Sequence, residues 1–262
     1  YPRSRLRAPA QEPGVSVART ASTDRRAGHQ LLVIPPRIYP IHDQALTIEF
    51  AAAISVEANE KAISLHHRLQ SAPFPGFIES VPAYGSLTVY FNEPANSTGV
   101  EAMLRNLTAT AAPEQLLGEV RQHLIPVCYE EPYGPDLKDV EVATGLDRST
   151  IISQHTGMTF RVFMIGFVPG FAYMGILPPE LETARKKVPR LEVPAGSVAI
   201  AGRQTGIYPA VIPGGWQIIG RTPWKLFNKN TQRCSLLSAG DLVRFEPITS
   251  ETFEQLSWAS PS

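Results

Sequence analysis

The sequence predicts a small α+β domain followed by an all-β barrel or sandwich. Three observations carry this expectation. Residues 37–124 alternate strand-like and helix-like periods. Residues 163–223 break into short apolar runs separated by glycine and proline. Hydrophobic residues make up 43% of the 262-residue chain and charged residues 18%, enough apolar material for a core and too few charges for a disordered protein.

The elements follow in order. Residues 37–41 and 45–50 read as strands, the second with Leu46, Ile48 and Phe50 on one face. Ser55 stands where a helix N-cap belongs. From there to residue 70, Ala58, Ala62, Leu65 and Leu69 form a stripe at helical spacing. Pro73 and Pro75 end the helix, and 77–83 with 86–91 read as a hairpin through Tyr84-Gly85. Residues 100–110 and 114–124 read as helices interrupted by Pro113. The β-α-β-β-α order suggests a ferredoxin-like sandwich.

After Pro126 the pattern predicts a strand at 127–129 and short helices at 136–144 and 149–155, with Ser149 capping the second. A β-rich stretch from 159 to 247 follows, with strands at 159–165, 198–201, 210–212, 217–220, 225–227 and 242–245. The expected boundaries are a disordered arm at 1–30, the α+β domain at 31–123, the barrel at 124–248 and a tail at 249–262. The arm holds six arginines against two acids and few large apolar residues.

The formal net charge is zero, which gives no basic face for nucleic acid. No apolar run approaches a membrane span. Cys128 and Cys234 lack metal-ligand spacing and predict no metal site. They read as buried free thiols in a reducing, cytoplasmic setting. There is no GxxxxGK[ST] phosphate loop, no GxSxG nucleophile and no biotin-acceptor lysine motif.

Candidate binding residues cluster on the glycine-rich turns. Phe167, Phe171 and Tyr173 flank a Pro-Gly turn. Gln204, Thr205 and Tyr208 offer polar tips beside Gly206, and Trp216 follows a Gly-Gly pair. Trp216 reads either as a stacking face or as a plug inside the barrel. Arg190 and Arg221 could each clamp a carboxylate or bridge loop carbonyls. His155 reads as a base or hydrogen-bond donor at a barrel mouth, or as a histidine at a helix C-terminus. Asp136 reads most simply as a helix N-terminal acid, with a substrate or subunit role left open.

The motifs GFVPGFAYM (166–174), VPAGSVAIAG (193–202), QTGIYP (204–209), PGGW (213–216) and IGRTP (219–223) occur in order. RIYPIHDQALTIEF, PGFIESVPAYGSLTVYF and VCYEEPYGPDLKDVE precede them. Together they resemble the family of 5-oxoprolinase B subunits, also known as allophanate hydrolase subunit 1 or Kip-type kinase inhibitors, from about residue 37 to 247. Arg203 and Gly85 depart from the family pattern. The resemblance implies a cyclophilin-like barrel. It also implies an ATP-dependent lactam hydrolase that opens 5-oxoproline to L-glutamate, with partners like the C and A subunits of 5-oxoprolinase. ATP would be used by the complex, its contact with this chain left open. It makes His155 and Arg190 catalytic candidates and adds Gln204 and Tyr208 to them. A chain without a phosphate loop fits a site shared between subunits. Two alternatives travel with the family: a module inhibiting a sensor histidine kinase, and a subdomain of a urea carboxylase or allophanate hydrolase pathway.

Overall fold

The computed structural model describes residues 36–109 and 120–259, and the expected arm at 1–30 lies outside them. Strands β1 (Arg37–His42) and β2 (Ala45–Glu49) form a hairpin. Helix α1 (Val56–Ser71) starts at Ser55, whose Oγ accepts the Ala58 N–H at 3.3 Å, as the sequence suggests. β3 (Phe77–Pro82) and β4 (Ser86–Phe91) form the second hairpin, and α2 (Ser97–Ala109) follows. Of the expected stripe of α1, Ala62, Leu65 and Leu69 are buried against Leu46, Ile48, Leu87, Val89 and Phe91 of the sheet, and Ala58 is buried as well.

The sheet is antiparallel in the order β1-β2-β4-β3. α1 connects β2 to β3, and β4 lies between these two strands; the ferredoxin-like sandwich the sequence suggests is not confirmed. The fourth place, beside β2, is filled by β1 from upstream rather than by the strand after α2. That strand leaves the sheet altogether. It is β5 (Gln122–Cys128), which lies parallel to the last strand, β13 (Leu242–Ile248), and joins the barrel. Residues 122–124, expected at the end of a helix, are therefore strand. The rest of that expected helix, to residue 119, lies outside the described residues.

Helices α3 (Leu137–Thr144) and α4 (Arg148–Thr156) connect β5 to β6 (Phe160–Ile165). The cap of α4 is Asp147, whose Oδ1 accepts the Thr150 N–H at 2.8 Å, rather than Ser149. β7 (Ala172–Gly175), β8 (Arg190–Val193), β9 (Ser197–Ala201), β10 (Gln204–Ile207), β11 (Ile212–Gly214) and β12 (Gln217–Arg221) complete the strands before β13. Seven strands close a barrel in the order β10-β7-β6-β13-β5-β12-β9, and β8 pairs with β11 as a separate ribbon. The strand expected at 225–227 is only an isolated bridge between Phe227 and Ser235, and the one expected at 210–212 begins at Ile212. The expected tail carries a helix, α5 (Ser250–Ala259), whose Phe253 packs on Tyr133 with ring centroids 4.2 Å apart.

Alternation along the barrel strands sorts side chains into two clusters. Ile125, Val127, Phe160, Val162, Ala172, Met174, Val198, Ile200, Ile207, Ile219, Val243 and Phe245 fill the interior. The intervening positions Ala199, Ala201 and Ile218 form an outer cluster with Phe171, Tyr208, Trp216 and Val193. The α+β sheet is tied to the barrel through Asn59 of α1. Its buried amide donates to the carbonyls of Ala83 (3.0 Å) and Phe163 (2.9 Å) and accepts from Arg161 Nε (2.9 Å). The same docking sets Tyr84, on the β3–β4 turn, 6.0 Å from the rings of both Phe163 and Tyr173. Cys128 is buried, and burial pushes its thiol up. Cys234 is exposed, which corrects the expectation of two buried thiols. Among the described residues, no helix is long and apolar enough to cross a membrane.

Candidate functional site

The outer cluster begins with small side chains. Ala199 and Ala201 on β9 leave room above the sheet for large rings. Gly206 on β10 does the same: a Cβ there would stand 3.1 Å from the Phe171 ring and 3.0 Å from the Ala172 carbonyl. Phe171 packs edge-to-face on Tyr208 (5.2 Å, 89°) and on Trp216 (5.7 Å, 87°). Tyr173 meets Phe171 at 4.7 Å and Trp216 at 5.8 Å. The first glycine of the Gly-Gly pair, Gly214, is required, since a Cβ there would collide with the Tyr208 ring. Trp216 is thus outside the barrel, 5% exposed, and does not plug its interior.

A charged group borders these rings. Asp136, at the N-cap of α3, makes no side-chain capping bond and is 1% exposed. Its carboxylate faces the barrel instead. Arg190 grips it with both arms (Nη1 to Oδ2 2.8 Å, Nη2 to Oδ1 2.6 Å). Lys186 Nζ donates to Oδ1 at 2.7 Å and the Ile218 N–H donates to Oδ2 at 2.7 Å. Burial alone would push Asp136 up. The bonds from Arg190, Lys186 and Ile218 outweigh it and hold the carboxyl below its ordinary value. Burial likewise opposes the charge of Lys186, but Asp136 and Asp139 raise its pKa on balance. Arg190 is raised by the same pairing. The fork of Arg190, expected to face a substrate, is occupied by Asp136, so this arginine fixes the 183–190 loop to α3 and β12.

Arg185 precedes that braced pair, and the sequence reading missed it inside Ala-Arg-Lys-Lys. It is exposed, and its guanidinium stands 5.8 Å from the Trp216 ring centroid. It has no hydrogen-bond or ion-pair partner among the described residues. The pairing of a lone arginine with a Gly-Gly-Trp turn, 31 positions later by sequence number, is the only sequence signal that could have raised it.

His155 is elsewhere. It is fully buried inside the barrel, Nδ1 2.8 Å from Tyr129 Oη and Nε2 2.9 Å from Thr205 Oγ1, stacked on Phe245 at 4.6 Å and 15°. Burial lowers its pKa to about 3, so the imidazole is neutral. The histidine lies in the last turn of α4, in the core and not at a barrel mouth, with both ring nitrogens bonded there. Thr205, expected to touch substrate, is 0% exposed and belongs to the same interior group.

Gln204 is half-buried and pairs with Tyr84, whose phenol burial nonetheless pushes up to about 12. Gln204 also lines a cavity of about 310 Å³ with Ile54, Phe163, Ile176 and Arg203, where Arg203 Nε is held by the Leu177 carbonyl at 2.8 Å. Phe167 is 70% exposed with a left-handed φ of 68° and touches Phe171 edge-on at 6.2 Å. Arg221 lies apart: its Nε donates to the Ala195 carbonyl at 2.8 Å, and it lines a second cavity with Tyr133, Trp224 and Glu254. The structure therefore brings together Phe171, Tyr173, Tyr208 and Arg190 with Trp216, Asp136 and Arg185, places Gln204 beside them through Tyr84, and separates His155, Thr205 and Arg221 from them. Among the described residues, no group of three or more His, Cys, Asp or Glu side chains is placed to hold a metal ion.

Residues 36–237 match the family described as carboxyltransferase domain, subdomain C and D. The chain is 37% identical over 227 residues to the 5-oxoprolinase B subunit of Bacillus subtilis, covering 83% of this chain and 95% of that one. It is 38% identical over 211 residues to the 5-oxoprolinase B subunit of Escherichia coli O157:H7, covering 80% and 95%. Among solved structures, TTHA0988 superposes with a TM-score of 0.70 at 34% identity. The match covers 80% of this chain and spans only 41% of the TTHA0988 chain.

Proposed function

Because the chain belongs to the carboxyltransferase subdomain C and D family, with the 5-oxoprolinase B subunits as relatives, we propose that it is the B subunit of an ATP-dependent 5-oxoprolinase. The complex would open the lactam of 5-oxoproline to L-glutamate together with partners of the C-type and A-type. The observation that carries this reading is a likeness running over nearly the full length of the named B subunits, not over one motif.

The chemistry explains why several chains would share the site. An unstrained lactam resists water. Transfer of a phosphoryl group from ATP to the carbonyl oxygen makes the ring carbon a better electrophile. Water oxygen then bonds to that carbon, the ring C–N bond breaks, and the nitrogen takes a proton to leave as the amine, which gives the side-chain acyl phosphate of glutamate; a second water releases inorganic phosphate and L-glutamate. ATP is handled by the complex. This chain contributes binding and orientation. The outer barrel face supports that role, because it combines flat rings, neutral phenols and a cation beside a rigidly braced carboxylate. On this reading Arg190 and Lys186 are positioning residues held on Asp136. His155 holds Tyr129 and Thr205 in the core and does not activate water.

The test is reconstitution of the chain with its two partners and a glutamate readout, omitting one component at a time. We expect glutamate only from the full mixture with ATP. Full activity without this chain would refute the assignment, and robust activity of this chain alone would refute the shared site.

A further inference from the structure

We propose that Arg185 is the carboxylate anchor for a small, flat amide acid seated against Trp216 and Tyr173 on the outer barrel face. The inference rests on the reading of the chain as part of a 5-oxoprolinase and assigns one end of its substrate to a named residue.

Within the loop at 183–190, cations have different surroundings. Lys186 and Arg190 are neutralised by Asp136, and Lys186 also reaches Asp139 at 3.0 Å. Arg185 is paired with no acid among the described residues, although it sits beside this ion-rich group. The pair Lys186–Arg190 holds the loop down, so the Arg185 backbone is fixed while its head remains available.

What surrounds that head has one chemical character. The Trp216 ring centroid lies 5.8 Å from the guanidinium, on a side chain that is 5% exposed where Arg185 stands over it. The positive charge of Arg185 is felt at the phenols of Tyr84, Tyr173 and Tyr208. Burial raises all three above the ordinary phenol value, so each is a neutral O–H group. Tyr173 is half-exposed, and no hydrogen bond engages its hydroxyl among the described residues. A guanidinium, a free phenol donor and an indole, with the nearby Asp136 carboxylate already engaged by Arg190 and Lys186, complement an anion carried on a planar ring. A carboxylate suits the guanidinium fork better than a neutral amide, because both oxygens can accept in one plane. The lactam ring of the same molecule would then rest on the rings of Trp216 and Tyr173, whose centroids are 5.8 Å apart at 68°.

An exposed cation over an aromatic ring is held weakly. Arg185 can therefore turn from Trp216 to an incoming carboxylate at little cost.

The experiment uses the complex reconstituted with its partners. KM and kcat are measured for 5-oxoproline, along with the inhibition constant of its carboxamide analogue, which has the same ring and no negative charge. We expect Arg185→Gln to raise KM for 5-oxoproline about 10- to 100-fold, the factor of a lost charge-assisted bidentate pair, with kcat changed far less. The same variant leaves the carboxamide's inhibition constant within about threefold of wild type, and Arg185→Lys recovers part of the KM. Urea midpoint and assembly of the complex stay close to wild-type values, since the substitution removes only the weak contact with Trp216 and no hydrogen bond or ion pair among the described residues. An unchanged KM overturns the proposal. So does an equal weakening of acid and carboxamide, or failure of the variant to assemble, which would assign Arg185 to a partner contact. A wild-type complex that releases no glutamate refutes the 5-oxoprolinase reading itself, and the anchor with it.

Discussion

Gln204 and Thr205 are neighbours on β10 with opposite surroundings. Thr205 points into the barrel, is fully buried and bonds His155. Gln204 points out, meets Tyr84 and lines a cavity. Ile219 and Ile218 divide between the two faces in the same way on β12. Inside, the polar atoms of this group have internal partners: His155 has one on each nitrogen, and no charge is present. Outside, the charges are either braced, as Asp136 is, or left available, as Arg185 is. One set of strands thus separates two duties. Substitutions on the inner face should act on stability, and those on the outer face on binding.

The largest effect should come from the inner face. His155→Ala would leave a ring-sized cavity and orphan the hydroxyls of Tyr129 and Thr205. We expect a loss of about 4 kcal/mol in urea unfolding. A loss below about 1 kcal/mol would break the comparison at its strongest point.

Next is the brace between the faces. Asp136→Asn would leave Arg190 and Lys186 without their shared counter-charge and weaken the anchor of the 183–190 loop. About 3 kcal/mol should be lost, with that loop becoming the first site of limited proteolysis. Unaltered cleavage and stability would show that Asp136 does not hold the loop.

The pH dependence sharpens the same point. The folded pKa of His155 is depressed to about 3, and the unfolded value is about 6.5. The unfolded chain therefore binds the extra proton first. This residue's contribution is fully present above pH about 6.5 and falls by roughly 1.4 kcal/mol per unit as pH drops toward 3. His66, also lowered by burial, adds a smaller part of the same sign. Urea midpoints between pH 6.5 and 4.5 should slope downward in wild type and flatten in His155→Gln. An equal slope in the variant would mean that the buried imidazole is not the source.

The smallest effect belongs to the outer rim. Phe167 holds a left-handed φ of 68° while 70% exposed, so its ring loses little burial on removal. Phe167→Gly should raise stability by about 0.5 kcal/mol through relief of that strain. A loss of 1 kcal/mol or more would show that the ring packs more tightly than its exposure implies.

Local order was largely legible. The α1 stripe, its Ser55 cap, the strands at 37–41 and 45–50 and the hairpin through Tyr84-Gly85 follow from periods of 3.6 and 2 over a few residues. What failed needed distant partners. The segment around Leu116, Leu117, Val120 and Leu124 has helical spacing, yet residues 122–128 are drawn into a parallel pairing with β13 from the far end of the chain. β8 and β10 are short and carry polar residues, so nothing local announces them. Of the site, the aromatic residues were legible because they sit on glycine turns that only close packing explains. Arg185 was not, because a run of cations reads as a solvated loop until Trp216 is seen beneath it. His155 drew attention as a lone histidine. Its burial depends on Tyr129 and Thr205, which are 26 and 50 positions away.

The division between the faces is tested most directly by the turnover of His155→Gln in the reconstituted complex, expressed per folded molecule at a pH and temperature where the variant remains native. If the inner face serves stability alone, kcat stays within about threefold of wild type although the urea midpoint falls. A loss of about a hundredfold or more with the fold intact would contradict the account and return His155 to the role of general base.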